Sequence, residues 1–253
     1  MRVSSAANRH WWDGNADDYQ VEHGEFLGDS TFIWGPEGLD EASVGLLGEV
    51  KDRDVLEIGC GAAQCGRWLV SQGARVAAFD ISHRQLRHSQ RIDLDSGLTV
   101  PVVQADAEQL PFSTASFDLG CSAYGAMPFV ADPAAVLSEV RRVLRPGGRF
   151  VFSTSHPIRW AFPDDPGPRG LTSDRSYFDR TPYTERDGSQ VTYIEHHHTL
   201  GDWIALIVAS GLRLEGLVEP EWPEGHTGVW GGWSPLRGRH LPGTAIFICA
   251  APS

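Results

Sequence analysis

The sequence predicts an α/β fold: a mostly parallel, seven-stranded sheet with helices on both faces and a small insertion after the fifth strand. Three observations carry this. Short apolar runs alternate with amphipathic segments from residue 54 to residue 154, and a glycine turn, Gly59-x-Gly61, follows the first run. Two further strand-like runs appear near the C-terminal end. Alternation of this kind is the pattern of strands joined by crossover helices, which lays the strands side by side and parallel.

Each element follows from local signals. Asp54 to Ile58 reads as the first strand, and a helix from about Gln64 to Gln72 is stopped by Gly73. Arg75 to Phe79 is the second strand, ended by Asp80, and Ser82 caps a helix to about Asp93. Val100 to Gln104 is the third strand, a polar loop spans Asp106 to Ser116, and Phe117 to Ser122 is the fourth strand. Asp132-Pro133 combines a capping residue with proline at the first helical position, opening a helix to about Leu144. Pro146-Gly147-Gly148 then turns the chain into the fifth strand, Arg149 to Thr154. Thr199-Leu200-Gly201-Asp202 resembles a capping box with Asp in place of Glu, starting a helix that ends at Gly211. Leu212 to Glu219 and Thr244 to Ala250 complete the sheet. In the insertion, Tyr183 to Arg186 and Val191 to His196 flank Asp187-Gly188, a hairpin signal. The expected organisation is a helical lid over residues 1–48 and a sheet domain over 49–253, with a cap at about 156–198 and a loop at about 220–243.

Composition narrows the function. The 253 residues carry 33 acids against 21 Lys plus Arg, a formal charge of -12. That disfavours any partner gripped through a phosphate backbone, so no nucleic-acid partner is expected. Met1 to Asn8 has no apolar segment and Trp203 to Ala209 is far too short to span a bilayer, so a soluble, untargeted chain is expected. Four cysteines without a Cys-x-x-Cys pair, two of them in predicted buried strands, fit a reduced, cytoplasmic compartment.

The chemistry centres on Glu57, two residues before Gly59. A carboxylate facing this turn would repel a pyrophosphate and suit a cation such as an amino acid's ammonium group. A dinucleotide turn also wants a small residue where this chain has Gln64. Asp80 and Asp106 follow the second and third strands, so three acids mark the carboxyl ends of neighbouring strands, where one elongated ligand reaches all of them. The plainer alternatives are that Glu57 anchors a helix N-terminus, that Asp80 only ends its strand and that Asp106 is an ordinary loop acid. Cys60 and Cys65 flank the turn, but two thiols make no closed metal site and read as structural. His196-His197-His198 is a weak metal signal, and no metal is expected.

Residues 54–154 resemble the class I S-adenosylmethionine-dependent methyltransferases, in particular the small-molecule, type 11-like branch. The resemblance rests on Glu57-x-Gly59-x-Gly61-x-Ala63, on Asp80, on Asp106-Ala107, on Leu110-Pro111-Phe112 leading into Ser116-Phe117-Asp118, and on Leu144-Arg145-Pro146-Gly147-Gly148. It implies a Rossmann-like fold, S-adenosylmethionine as cofactor and S-adenosylhomocysteine as product. Carried residue by residue, it implies cofactor contacts at Tyr19, Glu57, Gly59, Cys60, Gly61, Ala63, Gln64, Asp80, Ile81, Gln85, Asp106, Ala107, Glu108 and Ala123. Ala63 departs from the family, which usually has a third glycine there, and would add a methyl where the backbone meets the ligand.

Acceptor contacts are expected from the aromatic segments outside the sheet: Trp12, Trp34 and Trp160, with His198 near the last helix. The alternative is that these rings are the core of the cap. His156, directly after the fifth strand, is a candidate general base, and Tyr124 is a candidate at the end of the fourth. The implied reaction is methyl transfer to a small acceptor with apolar or aromatic surface. A cofactor-binding regulatory protein without turnover and an NAD-type oxidoreductase are the alternatives.

Overall fold

In the computed structural model, which describes residues 3–253, the chain opens with α1 (Val3–Leu27) and a short α2 (Glu41–Val44). The alternation follows: β1 (Asp54–Ile58), α3 (Gln64–Ser71), β2 (Arg75–Asp80), α4 (His83–Ser96), β3 (Val102–Gln104), β4 (Phe117–Ser122), α5 (Pro133–Val143) and β5 (Leu144–Ser155). A hairpin of β6 (Tyr183–Asp187) and β7 (Gln190–Glu195) precedes α6 (Leu200–Ala209), β8 (Arg213–Val218), α7 (Pro235–Gly238) and β9 (Thr244–Ala250). The main sheet has seven strands in the order β3-β2-β1-β4-β5-β9-β8. Only β9 runs antiparallel to its neighbours. Chain order reverses between β1 and β4, and ligands of such sheets bind at the carboxyl ends of strands beside that reversal.

The helix caps explain the boundaries. Ser82 accepts from the Gln85 amide and Asp132 from the Ala135 amide, while Thr199 and Asp202 form the reciprocal capping box. Three boundaries differ from the sequence expectation for physical reasons. β3 begins at Val102, because Pro101 has no N–H and offers the sheet only its carbonyl, to Ala78. β5 begins at Leu144, which already pairs with Phe117, and a register shift absorbs Pro146–Gly148. The hairpin turns at Gly188-Ser189, one residue later than expected, because Asp187 still pairs with Gln190.

Two apolar cores cover the two faces of the sheet. Phe150, Phe152 and Phe247 pack with α5 and α6 on one face, and Val55, Val76 and Leu69 pack with α3 and α4 on the other. Phe32, Trp34, Leu47 and Val50 belong to this second core. Within the expected lid segment 1–48, Phe32, Trp34 and Leu47 pack into the sheet core, while α1 lies over the top of the sheet.

α1 presents no apolar stripe; its buried residues are Ser4, Ser5, Ala7, Asn8 and Ala16. Specific polar contacts hold it instead. The Asn8 amide donates to the carbonyls of Phe129 and Ile194, and its oxygen accepts from the Ile194 amide, each at 2.9 Å. Asp13 accepts from the Ser82 hydroxyl at 2.8 Å and from the Arg84 amide at 3.1 Å. Asp17 pairs with Arg84 and with His88. α1 thus bridges the hairpin on one side and α4 on the other.

Candidate active site

A cleft opens at the carboxyl ends of β1, β2 and β4, with about 1220 Å³ of space, its open mouth included. One wall is built from the strand ends. Glu57, the penultimate residue of β1, is buried, and its Oε2 has no hydrogen-bond partner. Room for it exists because residue 66 on α3 is glycine: a Cβ there would sit 2.6 Å from Glu57 Oε2. Burial pushes the Glu57 carboxyl up to about 8, against the pull of Arg67 and the Gly66 amide. Gly59 (φ 65) turns the chain against the loop after β4, where a Cβ would come within 2.5 Å of the Ala126 amide nitrogen. Only glycine satisfies both the dihedral and that approach.

Asp80 ends β2 with its carboxylate held by the backbone: Oδ2 accepts from the Gly61 amide at 2.9 Å and Oδ1 from the Ser82 amide at 2.8 Å. Burial raises its pKa, and these amides oppose the rise. Each oxygen keeps a further lone pair for a ligand hydroxyl. Asp106 accepts from the Glu108 amide at 3.1 Å and lines the same wall with Ala107.

The opposite wall is aromatic. Tyr19 of α1 lies edge-on to Trp12 (centroids 5.4 Å) and to Trp230 (6.1 Å), and Phe26 lies edge-on to Trp230 (5.5 Å). Trp12 also meets Phe129 at 5.5 Å. Gln20 closes the seam between the walls, donating to Gln85 at 3.1 Å and accepting from Gln64 at 3.5 Å.

Residues 56–152, which hold the strand-end wall, match the family described as a methyltransferase domain. A solved S-adenosylmethionine-dependent methyltransferase from Mesorhizobium loti is 27% identical, with a TM-score of 0.65, covering 83% of this chain and 95% of that one. The chain carries a class I S-adenosylmethionine-dependent methyltransferase domain. The cofactor of that domain is S-adenosylmethionine. Among curated proteins, the malonyl-[acyl-carrier protein] O-methyltransferase of Pseudescherichia vulneris is 37% identical over 108 residues, 43% of this chain and 41% of that protein. The ubiquinone biosynthesis O-methyltransferase of Xylella fastidiosa is 33% identical over 109 residues, 43% of this chain and 44% of that protein. The chain spans less than half the length of these curated relatives.

The residues of the methyltransferase domain fit this cofactor. A buried carboxylate oxygen without a partner suits an ammonium group, and an Asp pinned by two amides suits vicinal hydroxyls. Among the residues expected at the cofactor, the cleft is lined by Tyr19, Glu57, Gly59, Cys60, Gly61 and Gln64, and by Asp80, Ile81, Gln85, Asp106, Ala107 and Ala123. Two of the expected contacts do not line the cleft. Ala63 adopts φ 58 as the residue capping α3, and its methyl packs in the buried cluster with α3 and is not among the residues lining the cleft. Glu108 turns away, accepting from the Asp132 amide at 2.9 Å.

The expected acceptor and catalytic residues fare differently. Trp12 lines the cleft. Trp34 does not: it is fully buried in the sheet core and donates to Glu41 at 2.9 Å. Trp160 stacks on His197, and His198 packs edge-on to Trp203, both away from the cleft. Of the other two histidines in that run, His196 meets Ser4 and His197 meets the Tyr177 carbonyl. His156 is also outside: its Nδ1 accepts from the Ile158 amide and its Nε2 pairs with Glu219 at 2.7 Å, so it shapes the turn after β5. Tyr124 lines the cleft in a left-handed conformation (φ 56), with its hydroxyl committed to the Gly243 carbonyl at 3.0 Å. Sequence reasoning missed Gln20, Gly125, Phe129 and the 31–36 loop. Gly125, three residues past β4, approaches the β1 turn so closely that a Cβ there would collide with the Gly59 carbonyl oxygen.

Proposed function

We propose that the protein transfers the methyl group of S-adenosylmethionine to a small-molecule acceptor with aromatic or apolar surface. The observation that carries this reading is the unpartnered, buried Glu57 oxygen, set in one wall with Asp80 and Asp106 and faced by an aromatic wall. When bound, the cofactor supplies a methyl group on a sulfonium centre.

The residues supply binding, orientation and dryness. Glu57 takes the cofactor's ammonium group, Asp80 its ribose hydroxyls, and Asp106 with the Ala107 backbone its adenine edge. The glycine at 59 lets the β1 turn lie against the loop after β4, which fixes the floor beneath the reacting atoms. Tyr19, Trp12 and Trp230 cover the acceptor, and Gln20 ties α1 across the seam to exclude water. Alignment of reactants carries effective molarities on the order of 10⁵ M or more, so positioning alone supplies much of the rate. The acidic chain and its carboxylate wall support a partner other than nucleic acid.

Incubation of the full chain with methyl-labelled S-adenosylmethionine and a panel of aromatic small molecules should yield labelled product and S-adenosylhomocysteine. Tight cofactor binding with no transfer across the panel would favour a regulatory protein on this fold instead.

A further inference from the structure

No Lys, Arg or His is among the described residues lining the cleft, while Glu57, Asp80 and Asp106 all face it. His23 stacks flat on Trp230 at 4.0 Å and lies outside the lining. An acceptor carrying a carboxylate or phosphate would meet Asp80 and Asp106 and no cationic side chain in the lining.

Base catalysis is missing for the same reason. The titratable lining groups, apart from the carboxylates, are Tyr19, Tyr124, Cys60 and Cys65. Burial raises the pKa of all four, so each holds its proton at neutral pH. The carboxylates are those assigned to the cofactor. An O–H acceptor loses its proton during transfer, and no titratable side chain of the lining other than the cofactor's carboxylates is placed to take it. An uncharged nitrogen needs no such help. The rings of Trp12, Tyr19, Phe26 and Trp230 favour a flat ligand and, through their negative faces, a developing positive charge.

We infer that the acceptor is a planar aromatic compound presenting an uncharged nitrogen nucleophile, an N-heterocycle or an arylamine, and that anionic acceptors are excluded. This rests on the methyltransferase reading above. The nitrogen lone pair forms the new C–N bond, the C–S bond breaks, and its electron pair stays on sulfur. Positive charge passes from the sulfonium to the nitrogen, and any N–H proton leaves to water afterwards. The residues before β1 that line the cleft, Trp12, Tyr19 and Phe26 among them, lie outside the segment 56–152 that matches the methyltransferase domain.

The test uses three bicyclic probes of one shape: isoquinoline, 2-naphthol and 2-naphthoate. Tryptophan fluorescence of the full chain, saturated with S-adenosylhomocysteine, reads binding; product analysis with S-adenosylmethionine reads transfer. Isoquinoline should bind at least tenfold more tightly than 2-naphthoate and yield the N-methyl cation, while 2-naphthol should yield no methyl ether. Trp230→Ala should weaken isoquinoline binding at least tenfold and Trp230→Phe less than threefold, with S-adenosylhomocysteine affinity unchanged in both. Equal binding of 2-naphthoate, methylation of 2-naphthol at a comparable rate, or no binding by any probe would overturn the inference. Failure of the wild-type chain to bind S-adenosylhomocysteine would instead overturn the methyltransferase reading.

Discussion

The two walls of the cleft are built on opposite physical principles. The strand-end wall is backbone and charge: glycines in left-handed conformations, amides aimed at Asp80, and a carboxylate at Glu57 kept without a partner. The roof is rings and side-chain ties: one polar helix, α1, pinned by Asn8, Asp13, Asp17 and Gln20. The first wall recognises specific groups and tolerates little change. The second selects by shape and sign of charge and is held by replaceable contacts.

The sharpest way to break this contrast is at the floor. Gly59→Ala should destabilise the protein by about 3 kcal/mol or more, since it adds a strained dihedral to a clash with the Ala126 backbone. Chemical denaturation checks it, and a loss below about 1 kcal/mol would mean that the floor yields.

Glu57 tests the wall's charge. A carboxyl whose folded pKa lies near 8 is most stabilising to the fold when protonated, below its unfolded value, and that stability is lost as pH rises through about 8. Glu57→Gln should therefore stabilise the cofactor-free chain at pH 7 by about 2–4 kcal/mol while weakening cofactor binding. Melts from pH 5 to pH 9 should fall with pH in the wild type and lie flatter in the variant.

Asn8→Ala tests the roof. It leaves the Ile194 amide and two carbonyls without their partner, at a cost of about 1–3 kcal/mol. Hydrogen exchange should show α1 opening while β1, β2 and β4 stay protected. The smallest effect is expected at Gly14, inside α1 with nothing within 4 Å of an added Cβ. Gly14→Ala should stabilise by about 0.5–1 kcal/mol, the reverse of the same change at Gly59.

The same contrast decides how much was legible in the sequence. Strand ends, glycine turns and caps are local signals, so Asp54–Ile58, Phe117–Ser122 and Thr244–Ala250 match their expected bounds, and the three acids meet in one cleft. The roof depends on which tryptophan faces which way, and composition carries no such information. Trp12 and Trp34 read alike in sequence, yet one lines the cleft and the other is sealed under α2 beside Glu41. His156 was placed correctly at the end of its strand, but its direction is set by Glu219, 63 residues away in the chain. α1 itself lacks an apolar period, because polar ties rather than a buried stripe fix it.

The most direct test of the carboxylate wall is calorimetric titration of S-adenosylhomocysteine into the wild-type chain and Asp80→Ala, with melting curves confirming that both are folded. The wild type should bind one equivalent, and the variant should bind at least about 100-fold more weakly, the loss of charge-assisted hydrogen bonds worth about 3 kcal/mol. Equal affinity in the two proteins would contradict the assignment of this wall to the cofactor.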